Sequence, residues 1–266
     1  MLRDITLGQY YPANSILHKL DPRVKLAGTV IFIIALFAGR TPFVYLMATA
    51  FLISVIKLSK VPFKFIVRGL KTIVILLIIT SMFNVFMTDG QVIFKIWKLK
   101  ATKEGLILAF YMSVRLIYFI MGSSLMTFTT TPNNLTDGLE KALGFLKVIK
   151  VPVHEIAMMM SIALRFIPIL VEETDKIMKA QMARGADFEN GNLVKRVKSM
   201  VPLLVPLLIS AVRRANDLAN AMEARCYIGG KGRTKMKPLK YHSRDYIAYL
   251  ILIIYLVAVY AGKNLI

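Results

Sequence analysis

Five apolar runs dominate the chain: Leu26–Gly39, Phe43–Ile56, Thr72–Met87, Gly105–Met126 and Tyr246–Gly262. Only one Asp, Glu, Lys or Arg, namely Arg115, falls inside any of them. With 56% apolar residues and a mean hydropathy of +0.60, the chain exceeds what a soluble domain carries. An all-α integral membrane protein with about five transmembrane helices is the expected fold class, since a lipid-embedded backbone must satisfy its own polar groups. The fourth run alone reaches the length of about 20 residues that a span needs. The first two are shorter, with "GRTP" between them as a tight turn at the far surface and Lys25 and Lys57 placed to snorkel at the near one.

The formal charge of +20 would suit nucleic acid if the bases sat on one soluble face. Instead they are placed as topology signals, which argues against a nucleic-acid partner. The link "KLSKVPFKFIVRGLK" holds Lys57, Lys60, Lys64, Arg68 and Lys71 and no acid, whereas the preceding turn has only Arg40. The link is therefore expected in the cytoplasm, and the N-terminus with it. The loop "TDGQVIFKIWKLKATKE" then lies outside, its four lysines partly offset by Asp89 and Glu104. The opening residues show no apolar stretch followed by a cleavage site, so no signal peptide is expected.

From Pro132 to Ser243 the pattern changes. This region carries 18 Lys and Arg against 10 Asp and Glu and reads as long helices in the cytoplasm. The expected organisation is thus four spans over residues 1–131, a region of long cytoplasmic helices over 132–243 and a C-terminal span over 244–266. Thr131 is a capping residue with Pro132 at the first helical position, followed by a stripe of Leu135, Leu139, Ala142, Leu143 and Leu146. A second helix follows Pro152, contains Pro168 and stops at Gly185; a third repeats the plan with Pro202 and Pro206 and ends near Arg225. Ile156 to Val171, interrupted by Arg165 and Pro168, fits a helix at the inner membrane face better than a sixth span.

Little in the chain resembles a catalytic centre, and no catalytic residue, metal site or cofactor is expected. "GGKGRT" from Gly229 lacks the spacing of a phosphate-binding loop and reads as a flexible basic loop. "HEIAM" starts like a zinc helix, but Met158 stands where the second histidine is needed, and neither His18 nor His242 has a partner pattern. The lone Cys226 excludes an intramolecular disulfide. Met158, Met159 and Met160 read as adaptable packing. Arg115, near the centre of the fourth run with no intramembrane acid to pair with, is expected to be an intramembrane structural residue bonded to backbone carbonyls or to polar groups such as Asn84.

Two short stretches echo each other: "KAQMARGADF" from Lys179 and "NAMEARCYI" from Asn220. Their arginines lie 225 − 184 = 41 residues apart, each after an alanine and with another alanine four residues before it. Together with "GQYYPANSILHKLDPRVKL", "TFTTTPNNLTDGLEKAL" and "LRFIPILVEETDKIMKAQMARGADF", they give nearly the whole chain a resemblance to the transmembrane T component of energy-coupling factor (ECF) transporters, vitamin and metal importers of the ABC class. The resemblance implies a non-catalytic scaffold in a bacterial cell membrane. It implies docking to two ABC ATPase subunits through Ala183, Arg184, Gly185 and Ala224, Arg225, Cys226, and a separate substrate-binding membrane component (S component). Cys226 departs from the glycine or small polar residue that the resemblance implies there, so the second coupling helix is expected to run a little past it. Either arginine alone would be read as complementing a helix C-terminus, but two in matching contexts favour docking. A conventional ABC permease half and a membrane-embedded lipid-metabolism enzyme are the alternatives. The first sits poorly with paired motifs in one chain, the second with the missing acidic or histidine cluster.

Overall fold

The computed structural model describes residues 10–264 apart from 40, 72, 97–98, 187, 189–192, 231–235 and 237. Each apolar run forms a helix: α1 (Pro22–Ala38), α2 (Pro42–Ser59), α4 (Val74–Met87), α5 (Lys103–Thr129) and α9 (Ser243–Asn264). Prolines at the first helical position start α1 and α2, where a missing N–H leaves nothing unsatisfied. Between α2 and α4 the basic link contains a short helix, α3 (Phe63–Lys71). The remaining helices are α6 (Pro132–Ala142), α7 (Val153–Ala183) and α8 (Leu193–Ala224). Thr131 caps α6 as expected, its hydroxyl accepting from the Asn134 N–H at 3.4 Å. The stripe expected through Leu146 is cut short, because residues Leu143–Ile149 tighten into a 3-10 turn.

One element departs from all-α. The loop expected outside the membrane holds an antiparallel hairpin, β1 (Val92–Ile96) with β2 (Leu99–Thr102), pairing Val92 with Thr102 and Ile96 with Leu99. Glu104 ties it down, accepting the Gln91 N–H at 2.7 Å, and Thr102 caps α5 through the Gly105 N–H at 3.1 Å.

By length and composition, α2, α5, α7 and α9 can each cross a bilayer, and α3 with α4 makes a fifth crossing if that bent pair is one span. The number agrees with expectation, but the set does not. At 17 residues α1 is shorter than the about 20 a span needs, while the 31-residue α7, expected at the inner face, continues through Pro168 and is long enough. Apolar side chains also face outward. Among them Ile75, Ile78, Met82 and Phe83 of α4 are exposed, and α4 buries none of its residues. Such a face is tolerable in hydrocarbon and not in water.

The described chain divides into two compact units, one over Gly8–Ala142 with Leu239–Ile266, the other over Leu143–Pro238. The core of the first is built from α1, α2, α5 and α9, with Leu36, Val44 and Ala48 fully enclosed and the rings of Phe51 and Tyr255 stacked at 4.5 Å. At one end of these helices the polar groups form a knot. Asp21 caps α1 by accepting the Arg23 N–H at 2.9 Å and pairs with the Arg23 guanidinium at 3.1 Å. That guanidinium reaches the Leu239 carbonyl at 3.2 Å and lies 4.0 Å from the centre of the Tyr241 ring. Lys25 donates to the Thr129 carbonyl at 2.7 Å and to the His18 carbonyl at 3.2 Å. Asp245, 1% exposed, accepts the backbone N–H of Asp21 at 2.9 Å and of His242 at 2.8 Å. The first and last helices of the unit are thus joined through one carboxylate. Gly138 of α6 fits beneath this knot because a side chain there would meet Pro22 at 2.9 Å.

Asp245→Ala is expected to destabilise the protein by about 2–4 kcal/mol, since it leaves the buried Asp21 N–H and the half-buried His242 N–H without their acceptor. Asp245→Asn, which keeps one acceptor oxygen, is expected to lose less. Thermal unfolding of the detergent-purified variants measures both, and an unchanged midpoint for the alanine variant would show that the carboxylate is dispensable.

Candidate functional site

The second unit rests on α7 and α8. They run antiparallel: Glu173 of α7 pairs with Arg214 of α8 at 3.0 Å, while further along α7 the Gln181 amide donates to the Pro202 carbonyl earlier in α8 at 3.5 Å. A groove between them is walled by Ile162, Phe166 and Leu170 on one side and by Ala215, Ala219 and Met222 on the other. The offset of the ion pair, 214 − 173 = 41, equals the offset of the two motif arginines, 225 − 184 = 41. One corresponding pair of positions, 173 and 214, therefore meets at the crossing, as a single pair does on a two-fold axis. Each arginine lies 11 residues beyond its member of the pair (184 − 173 and 225 − 214), or about 16 Å of helix at 1.5 Å per residue, and the antiparallel arrangement points them to opposite ends.

Both helices finish with the same hydrogen-bond pattern. In α7 the N–H of Gly185 donates to the Met182 carbonyl and that of Ala186 to the Gln181 carbonyl, both at 3.0 Å. In α8 the N–H of Cys226 donates to the Glu223 carbonyl at 2.8 Å and that of Tyr227 to the Met222 carbonyl at 3.1 Å. This is the Schellman ending, which requires a left-handed residue just past the cap. Gly185 supplies it with φ +87°, and Cys226 supplies it with φ +55°. The expectation that α8 runs past Cys226 is therefore wrong. The helix stops at Ala224, matching Ala183, because the two satisfied carbonyls outweigh the steric cost of a left-handed cysteine, about 1–2 kcal/mol. Arg184 and Arg225 occupy the cap position itself and both are exposed, beside the small residues Ala183, Gly185, Ala224 and Cys226. A planar guanidinium with five donors, held at a helix end between small neighbours, suits an acceptor-lined groove on another protein.

Arg115 belongs to the first unit and is 8% exposed. One of its terminal nitrogens donates to the Gly39 carbonyl at the end of α1 at 3.3 Å, and the guanidinium lies over the rings of Phe37 at 5.3 Å and Tyr45 at 6.0 Å. Asn84, named as a partner from sequence, instead donates to the Thr80 carbonyl within its own helix. Gly39 also admits no side chain, since a Cβ there would lie 2.7 Å from Val44. The two ring nitrogens of His18 meet the Ser15 hydroxyl and the Tyr11 carbonyl. Most of the "GGKGRT" stretch lies outside the described residues. Sequence reasoning missed the Glu173–Arg214 pair, although the 41-residue offset already carried that signal.

The family model described as the cobalt transport protein CbiQ matches residues 13–236, a range that includes both arginine helix ends. The chain belongs to the CbiQ family. Relatives within reach of this family are close: a protein from Clostridium kluyveri is 55% identical over 253 residues, covering 94% of this chain and 93% of its own. Others from Ruminiclostridium cellulolyticum and Bacillus subtilis are 51% and 47% identical, each spanning 96% of both chains. All three bear the name "Energy-coupling factor transporter transmembrane protein EcfT". The ECF resemblance drawn from the motifs of this CbiQ-family chain is thereby sustained.

Two outcomes are expected of variants in these sites. Cys226→Gly relieves the left-handed strain and slows amide exchange in the last turn of α8, whereas Gly185→Val speeds it in the last turn of α7 by the equivalent of about 1–2 kcal/mol; hydrogen exchange mass spectrometry reads both. Arg115→Leu leaves the Gly39 carbonyl without its donor and lowers the yield of monodisperse protein in size-exclusion chromatography, with Arg115→Lys milder. Normal assembly of Arg115→Leu with transport lost would assign Arg115 to mechanism instead.

Proposed function

We propose that this protein is the transmembrane scaffold of an ECF-type ABC importer in a bacterial cell membrane, coupling ATP hydrolysis by two ATPase subunits to uptake of a vitamin or metal ion through a separate S component. The observation that carries this reading is the pair of equivalent arginine-capped helix ends, 41 residues apart in sequence and directed to opposite ends of one antiparallel helix pair. Two like sockets need two like anchors, and one chain here presents two. Arg184 with Ala183 and Gly185 docks one ATPase, and Arg225 with Ala224 and Cys226 docks the other. The bases from Lys57 to Lys71 favour the cytoplasm for the link between α2 and α4; in this scheme the short α1 crosses with α2, and α7, although long enough to cross, stays with the rest of 132–243 on the cytoplasmic side, where ATP is available. Closure of the ATPases shifts the two ends, and the helices turn about the Glu173–Arg214 crossing to pass that shift to the membrane. The chain itself hydrolyses nothing in this scheme. Its close relatives are named as transmembrane components, which supports the same division of labour.

Arg184→Ala and Arg225→Ala are each expected to weaken assembly by about thirty- to several-thousandfold at one site, the usual loss when a buried charged contact is truncated. The double variant is expected to be far worse, because either tether alone holds its neighbour at high effective concentration. Lysine is expected to rescue poorly, lacking the planar fork. Copurification of the ATPases, ATP hydrolysis and uptake are measured together; a double variant that assembles and transports normally would sink the reading.

A further inference from the structure

We infer that the first unit holds one anionic phospholipid, with its phosphate at Arg244 and Lys25 and an acyl chain in the cavity below them. This inference rests on the membrane embedding of the chain and not on the ATPase coupling. The cavity, with a volume of about 490 Å³, is an open cleft lined by α1, α2, α5 and α9 and by the segment before α1. That volume lies within the range of about 300–1,000 Å³ that small-molecule sites occupy. Its lining changes with depth in a regular way. On α1 it runs from Lys25 through Gly28 to Phe32, and on α9 from Arg244 through Ala248 to Leu252. Each series covers two turns, about 10–12 Å. On α5 the order reverses, from Thr129 to Leu125 to Gly122, and the Lys25–Thr129 bond sets the polar ends level. The result is an apolar throat with two cations at its mouth.

Those cations are incompletely satisfied. Lys25 spends two donors on the carbonyls of His18 and Thr129 and feels the carboxylates of Asp21 and Asp245 from behind the cavity wall, so one donor is left for the cavity side. The Arg244 Nε is buried and has no hydrogen-bond partner among the described residues. Among the residues that line the cavity there is no Asp or Glu. A phosphodiester supplies what both cations lack: oxygens that a guanidinium grips in a fork and an ammonium meets as a point charge. Free phosphate would satisfy the mouth and leave the throat unfilled, and a net-neutral lipid would fill the throat but bring its own cation to the mouth. The two features together select a lipid with net negative charge, at the depth where Lys and Arg at helix ends meet headgroups.

The test uses the full-length protein in detergent micelles, titrated with phosphatidylglycerol, phosphatidylcholine or glycerol phosphate and read by native mass spectrometry. One phosphatidylglycerol is expected to bind about tenfold more tightly than phosphatidylcholine, the difference a charge-assisted hydrogen bond makes. Arg244→Gln is expected to remove that preference, Arg244→Lys to restore most of it, and Ala248→Phe, which fills the throat, to weaken both lipids. Circular dichroism confirms that each variant is folded, and if Ala248→Phe is not, the two Arg244 variants decide alone. Equal binding of the two lipids, indifference to Arg244→Gln, or displacement of phosphatidylglycerol by an equal concentration of glycerol phosphate would overturn the inference. So would a photo-crosslinker at position 126 that, in the assembled complex, captures a protein partner and no lipid.

Discussion

A buried carboxylate organises the first unit. Asp245 accepts the backbone N–H of Asp21, 224 residues away in sequence, while capping the helix it belongs to. In hydrocarbon or at its edge a helix start has open N–H groups and too little water to satisfy them, so a shared acceptor both stabilises the ends and fixes their relation. Everything around it follows from that tie. With α1 and α9 joined at their heads, Lys25 is brought to the Thr129 carbonyl, Arg23 to Leu239 and Tyr241, and Gly138 under Pro22. Two of the stretches that carry the family resemblance, the one before α1 and the one leaving α5, meet at this end, where the Tyr11 N–H also donates to the Phe128 carbonyl at 2.9 Å.

The second unit solves a different problem with repetition. Two helices of similar length, 31 and 32 residues, each end in the same Schellman pattern and pair through corresponding side chains at their seam. Because the two helices run antiparallel and cross near corresponding positions, their arginine-capped ends are carried to opposite sides. The ends differ in one respect. Cysteine in place of glycine at position 226 keeps the hydrogen bonds and accepts strain, so the α8 ending is the less relaxed of the two.

What could be read from residues alone followed short-range rules. The apolar runs became helices, Thr131 and Pro132 began α6, Gly185 ended α7, and the 41-residue echo marked two equivalent helix ends. Reading failed where a local rule met a longer-range one. "QVIFKIWKLKAT" has the alternation and β-branched content of a hairpin, a local signal that the charge pattern of a loop between spans does not reveal. The basic link between the second and third runs likewise carries both a charge signal and a helix, α3. The intrinsic preference of Cys226 disfavours a left-handed cap, and the carbonyls of Met222 and Glu223 override it.

The sequence by itself determined that the chain is helical and membrane-embedded, which family it belongs to and where the two arginine motifs stand, because hydropathy, caps and spacing act within a few turns of helix. Partners across the fold were decided only in three dimensions. That Arg115 meets the Gly39 carbonyl and not Asn84, that Asp245 meets Asp21, and that Glu173 faces Arg214 depend on which helices pack together and at what level. A buried charge or an open N–H states that it needs a partner; which atom answers is set by packing, since many candidates in the chain have the right chemistry and few reach the right place.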